Sequence, residues 1–434
     1  MSSLSRFKVA WVSIGITVLA LCGCNRSAET EPLRVQRSAG VPVAITALVW
    51  APDWPEEMNQ IADEFMRRNP DVRVNVQFMI GNSVEENLKP KIATNNLPDL
   101  VSVNPNRYTA QLADRGILVE LGHTQAWNNM FETLRPEWTS SGQRHYGISG
   151  GIAATMIYYN ESMFRQAGIK QLPTNFQEFL VLCATLRKAG FVPLMLNGAF
   201  PNMLGNGPFS SGFANTINLT DANWKADLAS GVLNLDTPAV ADIFAKIRLL
   251  PQHGFVQPDF LRTGYDDGLK LFTSGGAAMA FQGTWASGVL MHGRGFTTGV
   301  MAPPWNPKGR RPVPVIGSET GFAVCRTANQ EVAIRFLEFI YGEGFLIQQN
   351  KRQNISPLKQ VRGTMVNDAR VLAYVEQQRT AAVTGGLYYG FLPANTIEML
   401  HPLLQSVIAG DVTPRAAASA FNASVKAEAR DRNH

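Results

Sequence analysis

Residues 147–151 read Gly-Ile-Ser-Gly-Gly and satisfy the G-x-S-x-G pattern of a serine hydrolase. In such enzymes the serine lies on a sharp turn between a strand and a helix, which exposes its hydroxyl as a nucleophile. Here residues 152–159 continue with β-branched and aromatic side chains, which predict a strand after Ser149. The motif therefore does not predict a nucleophilic site.

Other catalytic and cofactor motifs are missing from the sequence. The six histidines are isolated, and no H-E-x-x-H or paired Cys/His spacing occurs. No glycine-rich phosphate loop with a following Lys-Ser/Thr is present. We expect no metal and no cofactor. A carboxylate pair for glycoside cleavage stays open, since the chain has 34 acidic residues.

The sequence does contain residue types suited to ligand binding, because aromatic and polar side chains follow the first predicted strand. Trp50, Asp53 and Trp54 stand there, where the crevice of an open α/β sheet collects ligands. Flat rings cover apolar C–H faces, and carboxylate or amide groups bind hydroxyls. These three residues are candidates for the lining of a binding cleft.

The predicted elements around these residues alternate between strands and helices. Period-two patterns and apolar runs predict strands at 44–50, 72–78 and 100–103. Pro55 and the acids after it predict a helix over 55–68, a Ser83/Glu86 capping box predicts a second, and a third spans 108–115. This β-α-β-α-β order implies a largely parallel sheet.

A second set of elements begins with a predicted strand at 155–159. Helices follow after a Thr174/Gln177 cap and after Thr237-Pro238. The Asn-, Gly- and Ser-rich stretch 199–231 is too irregular for a core and is interpreted as an insertion near the ligand. Two α/β lobes are the most economical architecture.

The first 23 residues have the features of a signal peptide. Arg6 and Lys8 precede an apolar run that is too short to span a bilayer and ends in Leu-Cys-Gly-Cys. Cleavage after Gly23 and lipidation of Cys24 fit this lipobox, and residues 24–40 form a polar tether. The alternative is an uncleaved signal anchor.

Composition excludes several classes of protein. The 434 residues are 45% apolar, as in a packed globular protein, and carry a formal net charge of +5. No cluster of Lys and Arg interleaved with aromatics occurs, so a nucleic-acid partner is not predicted. Cys183 and Cys325 are the only cysteines after the lipobox, and two buried thiols are favoured over a bridge.

Six short motifs occur in a characteristic order. They are IADEF at 61–65 with NPDV at 69–72, LPDL at 97–100, LADRG at 112–116, YYNESMF at 158–164 with AG at 167–168, GGAAM at 275–279, and GTW at 283–285. In these the chain resembles the bacterial extracellular solute-binding proteins typified by maltose- and other sugar-binding proteins of ABC importers. The resemblance covers nearly all of residues 41–425.

The resemblance implies a two-lobed periplasmic-binding-protein-like α/β fold, each lobe a mainly parallel sheet flanked by helices. The N-terminal lobe would comprise 41–150 plus about 320–380, and the C-terminal lobe 155–315 plus about 385–430. The chain would cross between them near 149–155 and 317–321, where glycines permit wide backbone torsion. Ordinary turns are the alternative reading of those glycines.

Further binding residues come with the resemblance. Trp285 matches the stacking tryptophan of such proteins, and polar binding groups are similarly expected after the third strand, where helix capping is the alternative. Glu319, in the second crossing, and Tyr388 or Tyr389 are weaker candidates. The residues after the third strand are Asn104, Asn106, Arg107 and Tyr108.

The function implied by the resemblance is non-enzymatic capture of a sugar or related polyol for an ABC importer. The protein would be a monomer outside the cytoplasm, held on a membrane by lipidated Cys24 and partnered by permease subunits. A disaccharide, an oligosaccharide, a polyol and a glycerol phosphodiester all fit. A ligand-presenting sensor subunit for a receptor and a lipid-anchored carbohydrate-active hydrolase remain alternatives.

Overall fold

The computed structural model describes residues 41–52, 54–80, 84–221, 223–361, 367–379, 381 and 384–430. The predicted signal peptide, Cys24 and the predicted tether lie outside these residues, as do Asp53 and Ser83, the predicted capping residue. In the described part the strands are β1 (Val43–Val49), β2 (Val72–Phe78), β3 (Leu100–Val103), β4 (Ile152–Asn160), β5 (Met279–Gly283), β6 (Thr298–Met301), β7 (Ile316–Ser318) and β8 (Gly321–Val324).

Helices account for most of the remaining described chain. Those before β5 are α1 (Pro55–Arg68), α2 (Val84–Ala93), α3 (Arg107–Asp114), α4 (Gln125–Asn129), α5 (Glu161–Gln166), α6 (Phe176–Lys188), α7 (Pro201–Leu204), α8 (Ser210–Phe213), α9 (Trp224–Ser230), α10 (Pro238–Gln252) and α11 (Tyr265–Thr273). Those after it are α12 (Ser287–Leu290), α13 (Gln330–Tyr341), α14 (Gly344–Arg352), α15 (Ala369–Arg379), α16 (Tyr388–Phe391), α17 (Ala394–Ala409) and α18 (Pro414–Arg430).

The first sheet has the strand order β2-β1-β3-β8. Strand β1 pairs in parallel with both β2 and β3, while β8 returns antiparallel to β3. Helix α1 provides the β1–β2 crossover and buries Met58, Ile61, Ala62 and Phe65 on one face. Its acids stand in the first turn and its arginines in the last, which suits the helix dipole. The predicted bounds of α1 and β2 are confirmed.

The second sheet has the order β5-β4-β6, and β7 pairs with the start of β4. All of these strand pairings are antiparallel, so the expectation of a mainly parallel sheet is wrong for this lobe. Isolated parallel bridges at 194–256 and 195–280 extend its β5 edge. Long connections separate these strands along the chain, so no short βαβ crossover dictates their direction.

Two strands run side by side where the chain passes between the sheets. Residues 152–154 of β4 pair with β7, and Ile148 pairs with Phe322 of β8. A side chain at Gly150 or Gly321 would collide with the carbonyl oxygen of Thr320 or Ile148, respectively. Neither glycine has a positive φ. Close approach of the two strands, rather than unusual torsion, is therefore what requires glycine here.

The buried apolar residues form two clusters, of which the first spans the first sheet and one face of β4 and the second covers the other face of β4. Cys325 belongs to the cluster around the first sheet and Cys183 to the cluster on α6 beside the second. Both thiols are free and buried, as predicted. Burial raises the pKa of Cys325 to about 12 and also raises that of Cys183. Neither cysteine is therefore a thiolate near neutral pH.

Two local expectations need correction. The residue that caps α6 is Asn175, not Thr174: its Oδ1 accepts from the Glu178 backbone N–H at 3.1 Å, while Thr174 donates to the Glu178 carboxylate. The stretch 199–231 is not excluded from the core, since much of 201–219 is buried in the second cluster. Its glycines allow this, because Gly207 packs against Phe281 and Gly212 against Ile243.

Candidate ligand-binding cleft

A cleft enclosing about 840 Å³ of empty space, part of which is open solvent, lies between the carboxyl ends of β1 and β3 and the residues that follow β5. One side, here called the strand-end wall, consists of Trp50, Pro52, Trp54, Val84, Glu85, Asn104, Glu319 and Thr320. The other side, here called the helical wall, consists of Phe200, Asn202, Met203, Asn206, Tyr265, Trp285, Tyr388, Tyr389 and Ile397. Ring faces, amides and two carboxylates thus meet in one cavity.

The strand-end wall is held by hydrogen bonds. Glu85, in the first turn of α2, is 2% exposed and accepts from the Nδ2 groups of Asn104, at 3.3 Å, and Asn106, at 2.6 Å. Asn104 Oδ1 in turn accepts from Thr320 Oγ1 at 2.7 Å. The Trp50 backbone N–H donates to Ser102 Oγ on β3 at 3.0 Å. This network fixes the strand ends before any ligand arrives.

Glu319 links the cleft to the crossing strands. Its carboxylate accepts from Asn354 Nδ2 at 3.1 Å, and the same Nδ2 donates to the Gly150 carbonyl at 2.9 Å. Its backbone N–H donates to the Gly151 carbonyl at 3.0 Å. Asn354 is fully buried and Glu319 is 4% exposed. The position of this carboxylate is therefore set by the connection between the sheets.

The helical wall is built from rings packed on glycines. Trp285 follows β5 in a short 3₁₀ turn, is half-buried, and lies over Gly283, so that a side chain at 283 would collide with its indole. It also packs against both hydrophobic cores. Phe200 and Tyr265 lie with ring centroids 5.4 Å apart. The wall offers several aromatic faces with little freedom to move.

Tyr388 and Tyr389 line the cleft but are themselves buried, at 1% and 8% exposed. The Tyr388 hydroxyl bonds His401 Nε2 at 2.6 Å, and the Tyr389 hydroxyl donates to the Ser318 carbonyl at 3.1 Å. Burial raises the pKa of both phenols well above the usual value and lowers that of His401 to about 4. Both tyrosines are neutral, and so is His401 at physiological pH.

Three predicted ligand residues do not line this cleft. Asn106 caps α3, its Oδ1 accepting from the Thr109 backbone N–H at 3.0 Å, and serves the cleft only by holding Glu85. Arg107 is exposed and donates to the Ala229 carbonyl at 3.2 Å. Tyr108 is half-buried beside the core, and burial raises its pKa to about 12. At these positions helix geometry turns the side chains away from the cavity.

Several lining residues were missed by sequence reasoning. Glu85 adjoins Glu86 of the predicted capping box, but helix rotation decides which of the two faces the cleft. Tyr265 begins α11 after Gly264, which has no capping side chain, so only the acids Asp266 and Asp267 mark this helix start in the sequence. The stretch 199–231 was expected near the ligand without named residues, and its lining members are Phe200, Asn202, Met203 and Asn206.

Ser149 of the G-x-S-x-G motif is fully buried in the crossing. Its hydroxyl donates to the Gly151 carbonyl at 2.7 Å, and β4 rather than a helix follows it. The nucleophile-elbow geometry is therefore not formed. Within the described residues no group of three or more His, Cys, Asp or Glu side chains is arranged to hold a metal ion.

The sequence matches the profile of the family described as bacterial extracellular solute-binding protein over residues 51–345, more than half of the chain. The chain belongs to this family. A protein of Brucella abortus named as a binding protein is 20% identical over 371 residues, covering 83% of this chain and 84% of its own. The cleft described above therefore belongs to a member of the solute-binding protein family.

Solved structures share the fold of this solute-binding protein. A chitin oligosaccharide binding protein aligns with a TM-score of 0.79 and 20% identity, covering 90% of this chain and 100% of its own. The binding protein RafE in complex with raffinose aligns with a TM-score of 0.76 and 20% identity, and the alignment covers 89% of this chain and 99% of RafE. A sugar transporter of Bacillus licheniformis in complex with stachyose aligns with a TM-score of 0.75 and 16% identity, and the alignment covers 88% of this chain and 98% of its own. The two-lobed α/β fold is confirmed.

The described residues include no helix with both the length and the apolar character needed to span a bilayer.

The lobe boundaries at 41–150 plus about 320–380 and 155–315 plus about 385–430 stay a prediction. The first sheet does combine strands from 43–103 with β8 at 321–324, and the second uses strands from 152–301.

Proposed function

We propose that this solute-binding protein captures a sugar or related polyol outside the cytoplasm and delivers it to an ABC importer without chemically changing it. The observation that carries the proposal is the meeting of tryptophan faces with buried carboxylate and amide groups in one cleft. A sugar ring has apolar C–H faces and a rim of hydroxyls, so it uses both kinds of group. Proteins of the same fold that bind raffinose, stachyose and chitin oligosaccharides support the proposal.

Within this function Trp285 would stack on a sugar ring. Trp50 and Trp54 would supply further apolar contact from the strand-end wall, and Asp53, between them in the sequence, stays a predicted ligand residue. Asn104 and Glu319 would bind hydroxyls, and Tyr388 and Tyr389 would close the cavity floor. Trp285 has the strongest claim, because it is half-buried in the cleft and packed from behind by both cores.

The proposal is tested with Trp285→Ala. A thermal-shift screen of neutral di- to tetrasaccharides first identifies a ligand, because a ligand that binds only the folded state raises the melting temperature. Titration calorimetry should then show a loss of about 2 kcal/mol in binding, roughly thirtyfold, as for a central aromatic anchor. Unchanged affinity with a large fall in the urea midpoint would make Trp285 a core residue.

Trp224→Ala is the matched control. Trp224 is buried in the second core, with edge contacts to Phe213 and Phe391, and does not line the cleft. Its truncation should cost about 3 kcal/mol or more of folding free energy while leaving the affinity of the folded protein unchanged.

A separate assay tests for catalysis. When the unmodified protein is incubated with the sugar that it binds, chromatography should show no hydrolysis products, since turnover would support the hydrolase alternative.

Membrane attachment is a separate part of the proposal and depends on Cys24. A diacylglyceryl cysteine with a third acyl chain would hold the protein at the membrane surface. Cys24→Ala should abolish labelling by palmitate and release the protein into the soluble fraction. Persistent label in the variant would contradict the lipobox.

A further inference from the structure

Two asparagine side chains interrupt the helical wall, which otherwise presents mostly apolar faces. Asn202 and Asn206 both line the cleft, and their spacing of four residues places them on the same side of one helical segment. Asn206 Nδ2 donates to Asn202 Oδ1 at 2.7 Å. Asn206 is 6% exposed, and its Oδ1 has no hydrogen-bond partner among the described residues. Because buried acceptors are normally satisfied, this oxygen calls for a donor from whatever fills the cleft.

The asparagine on the opposite wall is engaged differently. Asn104 Nδ2 donates to Glu85 at 3.3 Å, and Asn104 Oδ1 accepts from Thr320 Oγ1 at 2.7 Å. Both ends of that amide therefore have protein partners.

The bond within the asparagine pair uses only one group of each amide. It leaves Asn206 Oδ1 as an acceptor and Asn202 Nδ2 as a donor, both at the cleft. Turning both amides by half a rotation would exchange these roles and would still leave one acceptor beside one donor. The pair therefore presents two adjacent and complementary hydrogen-bonding groups.

We propose that the Asn202/Asn206 pair binds two adjacent hydroxyl groups of the captured sugar or polyol, a vicinal diol. One hydroxyl donates to the amide oxygen that the pair leaves over, and its neighbour accepts from the remaining amide N–H. A hydroxyl can do both, and hydroxyls on adjacent carbons are close enough to face adjacent amides. The inference rests on the proposed function, since it names the chemical feature by which the same cleft selects its ligand.

An unusual backbone turn holds Asn206 in place. Gly205–Phe209 form a π-helical turn between α7 and α8, a conformation that is rare and is often found at functional sites. Pro208 lies within it and has no backbone N–H with which to continue an α-helix. The Ser210 backbone N–H donates to the Gly205 carbonyl, and Ser210 Oγ donates to the same oxygen at 2.8 Å. Backbone and side chain together therefore close the turn that carries Asn206.

The glycines on either side of Asn206 fix this turn against its neighbours. A Cβ at Gly205 would lie 2.7 Å from Tyr388 Cε1, and a Cβ at Gly207 would lie 3.0 Å from the Phe281 ring. The close packing leaves Asn206 little room to retreat from a ligand. A side chain fixed in this way loses little conformational entropy when the ligand binds, so its hydrogen bond contributes more fully to affinity.

Deoxygenated sugars test the inference on the unmodified protein. A thermal-shift panel of neutral mono- to tetrasaccharides and linear polyols, with cellobiose, lactose, xylobiose and glucitol among them, supplies the tightest-binding probe. Calorimetry then compares this probe with analogues that each lack one hydroxyl. We expect at least about tenfold weaker binding on loss of either hydroxyl of one adjacent pair, because each loss leaves an amide group of the site unpaired.

Asparagine variants identify the hydroxyls that the pair contacts. In Asn206→Leu, loss of one of the two adjacent hydroxyls should weaken binding by less than about threefold, while all hydroxyls outside the pair keep their effects. Asn202→Leu should do the same for the hydroxyl on the neighbouring carbon. Asn206→Leu should also bind the intact probe about tenfold more weakly without lowering the urea midpoint, because leucine of similar volume removes a buried oxygen that lacks a partner.

Asn223→Leu is the matched control. Asn223 is exposed just before α9, makes no side-chain capping bond and does not line the cleft. This variant should bind the probe and all of its deoxy analogues as the unmodified protein does.

The outcomes separate the inference from the proposed function. If no two adjacent hydroxyls matter, or if the two variants act on hydroxyls that are not adjacent, the diol assignment is overturned and sugar capture stands. Full discrimination in Asn206→Leu with a lowered urea midpoint would give Asn206 a structural role only. Absence of binding from the whole panel would overturn sugar capture and the inference with it. The deoxy series needs only the unmodified protein, so the decision does not depend on whether a variant folds.

Discussion

The two walls of the cleft use different physical means to hold their side chains. On the strand-end wall, Glu85, Asn104 and Thr320 are positioned by side-chain hydrogen bonds. On the helical wall, Trp285 packs against Gly283 and Tyr388 packs against Gly205, and the Tyr388 hydroxyl also bonds His401. Hydrogen bonds specify direction, whereas packing specifies shape. One wall is therefore suited to orienting hydroxyls and the other to presenting apolar faces.

The largest expected effect concerns the support of the helical wall. Burial lowers the pKa of His401 to about 4, below its unfolded value of about 6.5, so the unfolded chain binds the proton more tightly. The free energy of unfolding should then be fully retained above pH 6.5 and fall by roughly 3 kcal/mol as the pH drops toward 4.

Urea melts across this pH range measure the effect as the difference between the unmodified protein and His401→Gln, which keeps a hydrogen-bond partner for Tyr388. The variant should lose less stability than the unmodified protein on acidification. His123→Gln, at an exposed position, is the control for the replacement of a histidine by glutamine. Equal slopes for His401→Gln and the unmodified protein would contradict the prediction.

The next effect tests whether packing defines the helical wall. A Cβ at Gly205 would lie 2.7 Å from Tyr388 Cε1, so Gly205→Ala should cost about 2 kcal/mol of folding free energy and displace that ring. At Gly386, two residues before Tyr388, a Cβ would make only an ordinary 3.6 Å contact with Phe391. Gly386→Ala should therefore change stability by less than about 0.5 kcal/mol. Similar urea midpoints for the two variants would refute this account.

A smaller effect tests the hydrogen bonds of the strand-end wall. Thr320→Val removes the 2.7 Å bond to Asn104 Oδ1 at nearly constant volume and should lower the free energy of unfolding by about 1 kcal/mol. Thr320→Ser keeps a hydroxyl and should restore most of that loss. If valine and serine behave alike in urea melts, side-chain volume rather than hydrogen bonding holds this wall.

The smallest effect concerns the contact that joins the walls at their rim. Lys89 on α2 bonds Glu398 on α17 at 2.7 Å, with side chains 35% and 32% exposed. Such an exposed pair is screened by solvent, so Lys89→Gln should cost less than about 0.5 kcal/mol, and the cost should shrink in high salt. A salt-insensitive loss above about 1 kcal/mol would show that the rim, and not the crossing strands, holds the walls together.

Sequence reasoning recovered the strand-end wall better than the helical wall. The bounds of α1 and β2 follow from one-sided apolar periodicity, and Trp50, Trp54 and Asn104 come directly before or after such elements. The helical wall depends on residues 199–231, whose Asn and Gly content resembles a loop. Those residues are ordered by tertiary packing of glycine against Tyr388, Phe281 and Ile243, which local propensity does not reveal.

The glycines of the crossing strands also bear on mutational tolerance. Side chains at Gly150 and Gly321 would strike backbone carbonyls, which cannot move aside as a flexible side chain can. A library of all single substitutions, selected for folding, should be depleted at these two positions and permissive at Gly264, where a Cβ would meet nothing within 4 Å. Ligand preference can therefore drift through changes in the cleft walls while the backbone that joins the sheets stays fixed.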